Sequence, residues 1–395
     1  MAAAFGVEVE RISLNDAKER APLLNIDDLV AAYLIPSDGM TNPTDTTQAL
    51  ARGARKGGAK LIEGIKVSEI LTKNDQVTGA DTDQGRIEAE IVVVCSGMWT
   101  RDLCAPIGVN VPLHAAEHYY IVTRPMEGVV RNQPVIRDMD GYIYIKEEVG
   151  GLILGGFEPN AKPAFTNNNK VPNDFSFGEL PEDFDHFEPY LINAMNRIPS
   201  LEKSGIRKFF NGPESFTPDT NYLLGETPEV KNLYICGGFN SIGIVSSGGA
   251  GKITAEWMIN GEIYEDIFSL DISRFEKFHS ELEFITKRVT ETLGNLYAMH
   301  WPYKQHTTSR NIKLLPYHNH LKSKGACFGQ SAAYERPMWY ALNAKEANYK
   351  YSYGYQNWYD SAKYETLNAR ENVALFELSP FVKFELSGEK THSNL

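Results

Sequence analysis

The chain has 395 residues, enough for two or three domains that each bury a full core. Hydrophobic residues make up 42% and charged residues 23%, which excludes disorder as the main state. The net charge of −12, with no long Lys/Arg run, argues against nucleic acid or an anionic membrane surface as partner.

No stretch approaches the ~18 apolar residues of a membrane span, and Met1 to Phe5 are followed by acidic and polar residues, so no signal peptide is expected. Cys95, Cys104, Cys236 and Cys327 are far apart in sequence and form no CxxC. That suits a reducing compartment and argues against a disulfide scaffold or a thiolate zinc site. The expected location is cytoplasmic, or the mitochondrial matrix in a eukaryote.

Residues 5–35 read as a strand and a short helix belonging to a larger sheet. Asn42-Pro43 reads as an N-cap followed by proline at the first helical position, and Gly57-Gly58 ends that helix. Short strands follow at 60–62, 67–71 and 77–80, and 85–88 closes a hairpin. The apolar run 91–95 (IVVVC) reads as a buried strand ending in Ser96-Gly97, where α/β folds bring backbone to a ligand. From 108 to 215, alternating and aromatic runs at 111–113, 119–123, 142–146 and 152–156 predict an antiparallel sheet, with one helix at 183–197. Residues 232–236 form another buried strand, after which the chain returns to the first domain. An acidic, aromatic, partly helical region runs to about 300, and residues 300–395 are rich in Tyr, Trp and His.

The segment 236–252 (CGGFNSIGIVSSGGAGK) carries the strongest chemical signal. A buried strand leads through a glycine-rich turn into a helix expected from about Ser247 to Asn260. Such a turn lets backbone N–H groups and a helix N-terminus meet a flat or anionic ligand. A nucleotide-triphosphate loop is excluded by Ser246 and Ile253, and a GxGxxG fingerprint by Thr254. Close helix–strand packing would use the same pattern without a ligand.

His118 and Tyr144 fall in predicted strands, where a His and a Tyr meeting across a sheet would bind a carboxylate and tune an amine's protonation. Two buried, hydrogen-bonded side chains are the plainer alternative. His300, His306, His318 and His320 lack ligand spacing, so no metal is expected. The aromatic run 351–359 reads as interdomain packing.

Six segments together carry a resemblance: 92–99 (VVVCSGMW), 113–125 (LHAAEHYYIVTRP), 155–163 (GGFEPNAKP), 185–189 (DHFEP), 212–219 (GPESFTPD) and 237–251. They resemble the dimethylglycine and sarcosine dehydrogenase flavoproteins, in the form fused to an aminomethyltransferase-like domain. The regulatory subunit of pyruvate dehydrogenase phosphatase is similar across the same segments. The resemblance implies an α+β / α/β fold of the D-amino-acid-oxidase-like type. It implies a partial FAD domain at 1–107, a substrate-binding sheet at 108–215 and a return to the FAD domain at 216–265. A linking domain at 266–325 and the start of a folate-binding aminomethyltransferase-like domain at 326–395 follow.

By position, the resemblance implies that Gly238, Ser241, Ile242, Gly243 and Ile244 lie along the flavin. Val67 would face its adenosine side, with Gly97 and Trp99 nearby, and His118 and Tyr144 would stand beside the substrate amine. Gln356-Asn357-Trp358 and residues 376–388 match the opening of the folate-type module. The implied reaction is FAD-dependent oxidative demethylation of an N-methylated amino acid of the dimethylglycine or sarcosine type. Hydride passes from the N-methyl carbon to flavin, leaving an iminium that water or tetrahydrofolate resolves. The small-molecule amine is the expected partner, and a non-catalytic regulatory subunit is the alternative.

Two departures accompany the resemblance. No strand–GxGxxG–helix unit precedes Phe5, and the final domain stops at Leu395. The expectation is a fragment or a degenerate gene product, which expressed alone purifies largely without yellow colour.

Overall fold

A computed structural model describes residues 2–168, 170–300, 304–331, 333–342 and 347–394. The chain divides into two compact units, residues 1–298 and 299–395.

The first unit opens with β1 (Glu10–Ile12), α1 (Leu14–Arg20) and β2 (Ala32–Leu34). Ser13 caps α1 in a reciprocal pair with Asp16. The larger sheet expected here is a two-stranded one: among the described residues β1 and β2 pair only with each other. Three-residue strands with half-exposed side chains have no apolar face to lay on a neighbour. The helix α2 (Pro43–Lys56) has the caps foreseen, Asn42 accepting from the Asp45 amide and the chain leaving at Gly57. An antiparallel meander follows: β3 (Val67–Lys73), β4 (Gln76–Thr82) and β5 (Gly85–Glu88). The strand expected at 60–62 is irregular and exposed.

A second, three-stranded sheet is assembled from distant segments. It contains β6 (Val92–Val94), which precedes the short helix α3 (Thr100–Cys104). Its other members come after a long excursion through β7 (His114–Thr123), β8 (Ile136–Asp138), β9 (Ile143–Glu148), β10 (Gly151–Gly156), α4 (Phe184–Arg197) and β11 (Ile206–Phe216). Then β12 (Leu223–Glu226) and β13 (Leu233–Gly237) complete it, with β13 parallel to β6. The helix α5 (Gly243–Asn260) leaves β13 and lays Trp257 against Tyr234. Val94, Leu223, Leu233 and Ile235 are the buried centre of this part.

The excursion is the five-stranded antiparallel sheet β11-β7-β10-β9-β8. Strand alternation gives it two unlike faces. Tyr119, Ile121, Ile143, Ile145, Leu152 and Leu154 point one way and pack under Phe187, Tyr190 and Ala194 of α4. On the opposite face, Ala116, Phe157 and Phe216 meet Ile285, Val289 and Leu293 of α6 (Leu282–Asn295). Beyond α6 that second face carries His118, Tyr120, Tyr144 and Lys146.

The second unit holds β14 (Lys313–Leu314), α7 (His318–Ser323), β15 (Ala326–Ser331), β16 (Tyr334–Tyr340), α8 (Tyr359–Glu371) and α9 (Thr391–Asn394). Its sheet has the order β14-β16-β15. Glu335, fully buried, accepts from Arg310 Nε at 2.8 Å and from the Asn311 amide at 2.8 Å. The aromatic run packs partly within this unit, Tyr349 edge-on to Trp339 and stacked with Tyr351, while Tyr353 and Tyr355 are exposed.

Candidate active site

Register brings the two side chains chosen from the sequence onto one face. Gly155 pairs with Tyr120 on one side and Tyr144 on the other, and Gly212 pairs with His118. The Tyr144 ring lies over Gly155, where a Cβ would stand 2.2 Å from the ring and 2.3 Å from the hydroxyl oxygen. Glycine there is what lets the ring cross β10 toward β7. In the same way Phe210 leans over Gly212 and stacks on Tyr120 at 4.6 Å. Phe157 joins the pair, its ring 5.1 Å from His118 and 5.9 Å from Tyr144, and stacks on Tyr297 at 4.3 Å.

The electrostatics of this face come from residues the sequence did not single out. Glu158 is fully buried, and its Oε2 lies 3.4 Å from His118 Nδ1. Burial pulls the His118 pKa down, but the hydrogen bond and charge of Glu158, aided by Glu214, prevail and hold it above the usual histidine range. Burial, then the Glu214 charge, pushes the Tyr144 phenol up, so it stays protonated as a donor. Among the described residues, Glu158 Oε1 and the buried Tyr297 hydroxyl have no hydrogen-bond partner. Only the quoted run GGFEP hinted at Glu158, and an acid after an apolar strand has no meaning until the fold shows what it meets.

The glycine-rich turn is tied to the same sheet through β11. The Asn240 amide donates to the Ser215 carbonyl at 3.2 Å, and Asn240 Oδ1 accepts from the Thr217 amide at 2.9 Å. Ser215 is three residues along β11 from the partner of His118, a strand distance of about 10 Å. Gly238, Asn240 and Ser241 all have positive φ (66°, 51° and 64°). For Ser241 that conformation costs about 1–3 kcal/mol.

Helix α5 starts at Gly243, four residues earlier than the sequence suggested, so Gly243 and Ile244 form its first turn. Ser247 looks like a cap by residue type, but the chain is already helical there. Ile242 occupies the N-cap and offers no side-chain cap, so the first amides keep their donors and partial positive charge. Ile244 and Val245 in that turn are 54% and 80% exposed. A Cβ on Gly248, Gly249 or Gly251 would meet nothing within 4 Å among the described residues, so packing there does not explain these glycines. An uncapped helix start with exposed apolar side chains and an open glycine surface fits a flat heteroaromatic group bearing anionic substituents.

The remaining candidates lie around the neighbouring strand ends. Gly97 follows β6 with φ +55°, Trp99 is part-exposed just beyond it, and Val67 starts β3 with its side chain exposed. One relation was invisible in sequence. The parallel register of β6 and β13 sets Cys95 beside Cys236, and the neighbouring thiol holds the Cys95 pKa below the ordinary cysteine value. Among the described residues no three His, Cys, Asp or Glu side chains are grouped to hold a metal ion, and no helix is long and apolar enough to cross a membrane.

The chain is 41% identical to the 4-methylaminobutanoate oxidase (formaldehyde-forming) of Paenarthrobacter nicotinovorans, over 97% of this chain and 46% of that protein. It is 37% identical to the mitochondrial pyruvate dehydrogenase phosphatase regulatory subunit of Mus musculus, over 97% of this chain and 44% of that one. Against the mitochondrial sarcosine dehydrogenase of Homo sapiens the figures are 34%, 98% and 45%. The chain thus spans less than half the length of these relatives. The structure of L-proline dehydrogenase from P. horikoshii is similar, with a TM-score of 0.59 and 27% identity over 69% of this chain and 70% of that one. Residues 260–314 match the FAD dependent oxidoreductase central domain and residues 317–395 the GCVT N-terminal domain. The model of the FAD dependent oxidoreductases matches residues 1–257, well over half of the chain, and the chain belongs to that family.

Proposed function

We propose that this chain forms the amine-binding sheet and part of the FAD-binding surface of an enzyme that oxidatively demethylates an N-methylated amino acid. The observation that carries the reading is the meeting of His118 and Tyr144 around Phe157, on the sheet that β11 ties to the uncapped start of α5. Gly238, Ser241, Ile242, Gly243 and Ile244 would hold the flavin, with Gly97, Trp99 and Val67 toward its adenosine side. FAD, when bound, supplies the two-electron acceptor for the C–H bond that is broken.

The chain's own part is to bind, orient and deprotonate. An alkylammonium cannot stabilise positive charge on its methyl carbon, so the amine must lose a proton first. His118 takes that proton, and Tyr144, kept protonated, donates a hydrogen bond that orients the amine or the carboxylate. Phe157, Tyr297 and the Tyr120–Phe210 stack keep the face apolar around these groups. The one-carbon product leaves as formaldehyde or passes to tetrahydrofolate in the module that residues 317–395 begin.

The test is single-turnover flavin reduction in the full-length protein. His118→Ala is expected to slow reduction by ~10²–10⁴ with FAD binding little changed. Reduction at wild-type speed removes His118 from the chemistry. If the flavin-loaded wild type reduces with no N-methylated amino acid, the second reading, a regulatory subunit, prevails. The 37% identity to such a subunit is what keeps that reading in view.

A further inference from the structure

Glu158 belongs to no helix or strand, yet it is held rigidly. It follows Phe157, whose amide donates to the Tyr142 carbonyl at 2.8 Å. Behind it, α6 approaches so closely that a Cβ on Gly294 would lie 2.4 Å from Pro159 Cα and 2.9 Å from the Glu158 carbonyl oxygen. The segment is clamped between the sheet and α6, with the carboxylate turned toward His118 Nδ1 and no other partner among the described residues. A buried carboxylate with one hydrogen bond is costly unless its position serves something.

The imidazole supplies a reason. A carboxylate can only accept, so Nδ1 carries the proton of this bond and Nε2 is left with the lone pair. Nε2 has no hydrogen-bond partner among the described residues. We propose that Glu158 is the positioning residue of His118, holding the Nδ1 proton so that Nε2 is the basic nitrogen, and supporting the imidazolium formed when Nε2 takes a proton. The proposal rests on the reading of His118 as the base.

The other groups around His118 leave Glu158 as the direct partner. On β11, Glu214 acts by charge without a hydrogen bond to the ring. On β9, Tyr144 stays neutral and Lys146 is paired with Glu148 at 3.1 Å. On that face β10 presents only Ile153 and Gly155 near the site. From the α6 side, Tyr297 lies behind Phe157, while Arg288 and Glu291 face each other at 3.6 Å. On β7 itself, Glu117 points to the opposite face, where it accepts from Tyr119 and Asn211.

The experiment is NMR of the 395-residue chain with isotope-labelled histidine, the His118 signals being those absent from His118→Gln. In the wild type, ¹⁵N shifts are expected to show Nδ1 protonated at high pH. In Glu158→Gln the His118 titration midpoint is expected to fall by about one to three pH units, and Glu158→Asp is expected to restore most of it. A wild-type Nε2–H tautomer, or an unchanged midpoint in Glu158→Gln, overturns the proposal. The wild-type measurement stands even if Glu158→Gln does not fold. In the full-length protein, the acid limb of the flavin-reduction pH profile is expected to move down with Glu158→Gln and to vanish in His118→Gln. If His118→Gln keeps that limb while the NMR result holds, it is the assignment of His118 as the base that fails, and Glu158 still positions the ring.

Discussion

At the scale of single residues, a missing side chain shapes the candidate site. Gly155 is required because the Tyr144 ring occupies the place of its Cβ. Gly155→Ala is expected to displace that ring, costing roughly 1–3 kcal/mol in stability through overpacking. Thermal unfolding and single-turnover kinetics of the full-length protein check it. Amine-dependent flavin reduction should fall while FAD affinity is kept, and a variant with unaltered kinetics would show that the position of Tyr144 is unimportant. Cys95 offers an independent measurement. The neighbouring Cys236 thiol favours its thiolate, against burial, and lowers its pKa from the ordinary cysteine value. Alkylation of Cys95 by iodoacetamide should therefore rise with pH through a midpoint below that of an ordinary cysteine, since the thiolate is the nucleophile. Cys236→Ala removes the neighbouring thiol and should move that midpoint up.

Secondary-structure elements divide between those that hold the sheet and those proposed to meet the ligand. Phe187 of α4 is fully buried against Tyr119 and Phe209. Phe187→Ala leaves a cavity there and is expected to cost ~3–5 kcal/mol, read from denaturant unfolding. Helix α5 behaves differently. Gly248, Gly249 and Gly251 lie inside it with open space where each Cβ would go. If backbone exposure were irrelevant, Gly249→Ala would gain roughly 0.8–1 kcal/mol from helix propensity alone. The chain without FAD should show that gain, while the full-length protein should bind FAD more weakly because the methyl group stands on the proposed ligand surface. Unchanged FAD affinity would remove that part of α5 from the site.

Across the whole first unit, one buried cation connects distant segments. Arg197, at the end of α4, donates to Asp138 at 2.8 Å, to Asp28 at 2.7 Å and to the Asn25 carbonyl at 2.7 Å. It fastens the segment before β2 to the five-stranded sheet. Arg197→Met is expected to destabilise the unit by about 3 kcal/mol, because Asp138 is left as an uncompensated, largely buried charge. Hydrogen exchange should show residues 25–34 losing protection first. The Arg197 hydrogen bond holds the Asp28 pKa below its ordinary value. Such a depressed carboxylate stabilises the fold above its unfolded pKa near 4, and the contribution is lost as pH falls through the lower folded value. The difference between wild type and Arg197→Met should accordingly shrink on acidification below about pH 4.

What the sequence determined by itself was local or periodic. The caps of α2, at Asn42-Pro43 and Gly57, depend on neighbouring residues alone. The start of α4 at Asp183 and the alternation that separates Tyr119 from His118 are of the same kind. A resemblance spread over six segments supplied the family and the flavin. Tertiary structure decided what depends on which strands lie side by side. Register across β7, β10 and β9 brought His118 and Tyr144 to one face, and the close approach of α6 aimed Glu158 at the imidazole. The parallel pairing of β6 and β13 joined Cys95 to Cys236 across 141 positions of sequence. Propensity reads a few residues of backbone preference, whereas a charge, a thiol pair or a ring over a glycine is fixed by contacts between segments that no local pattern records.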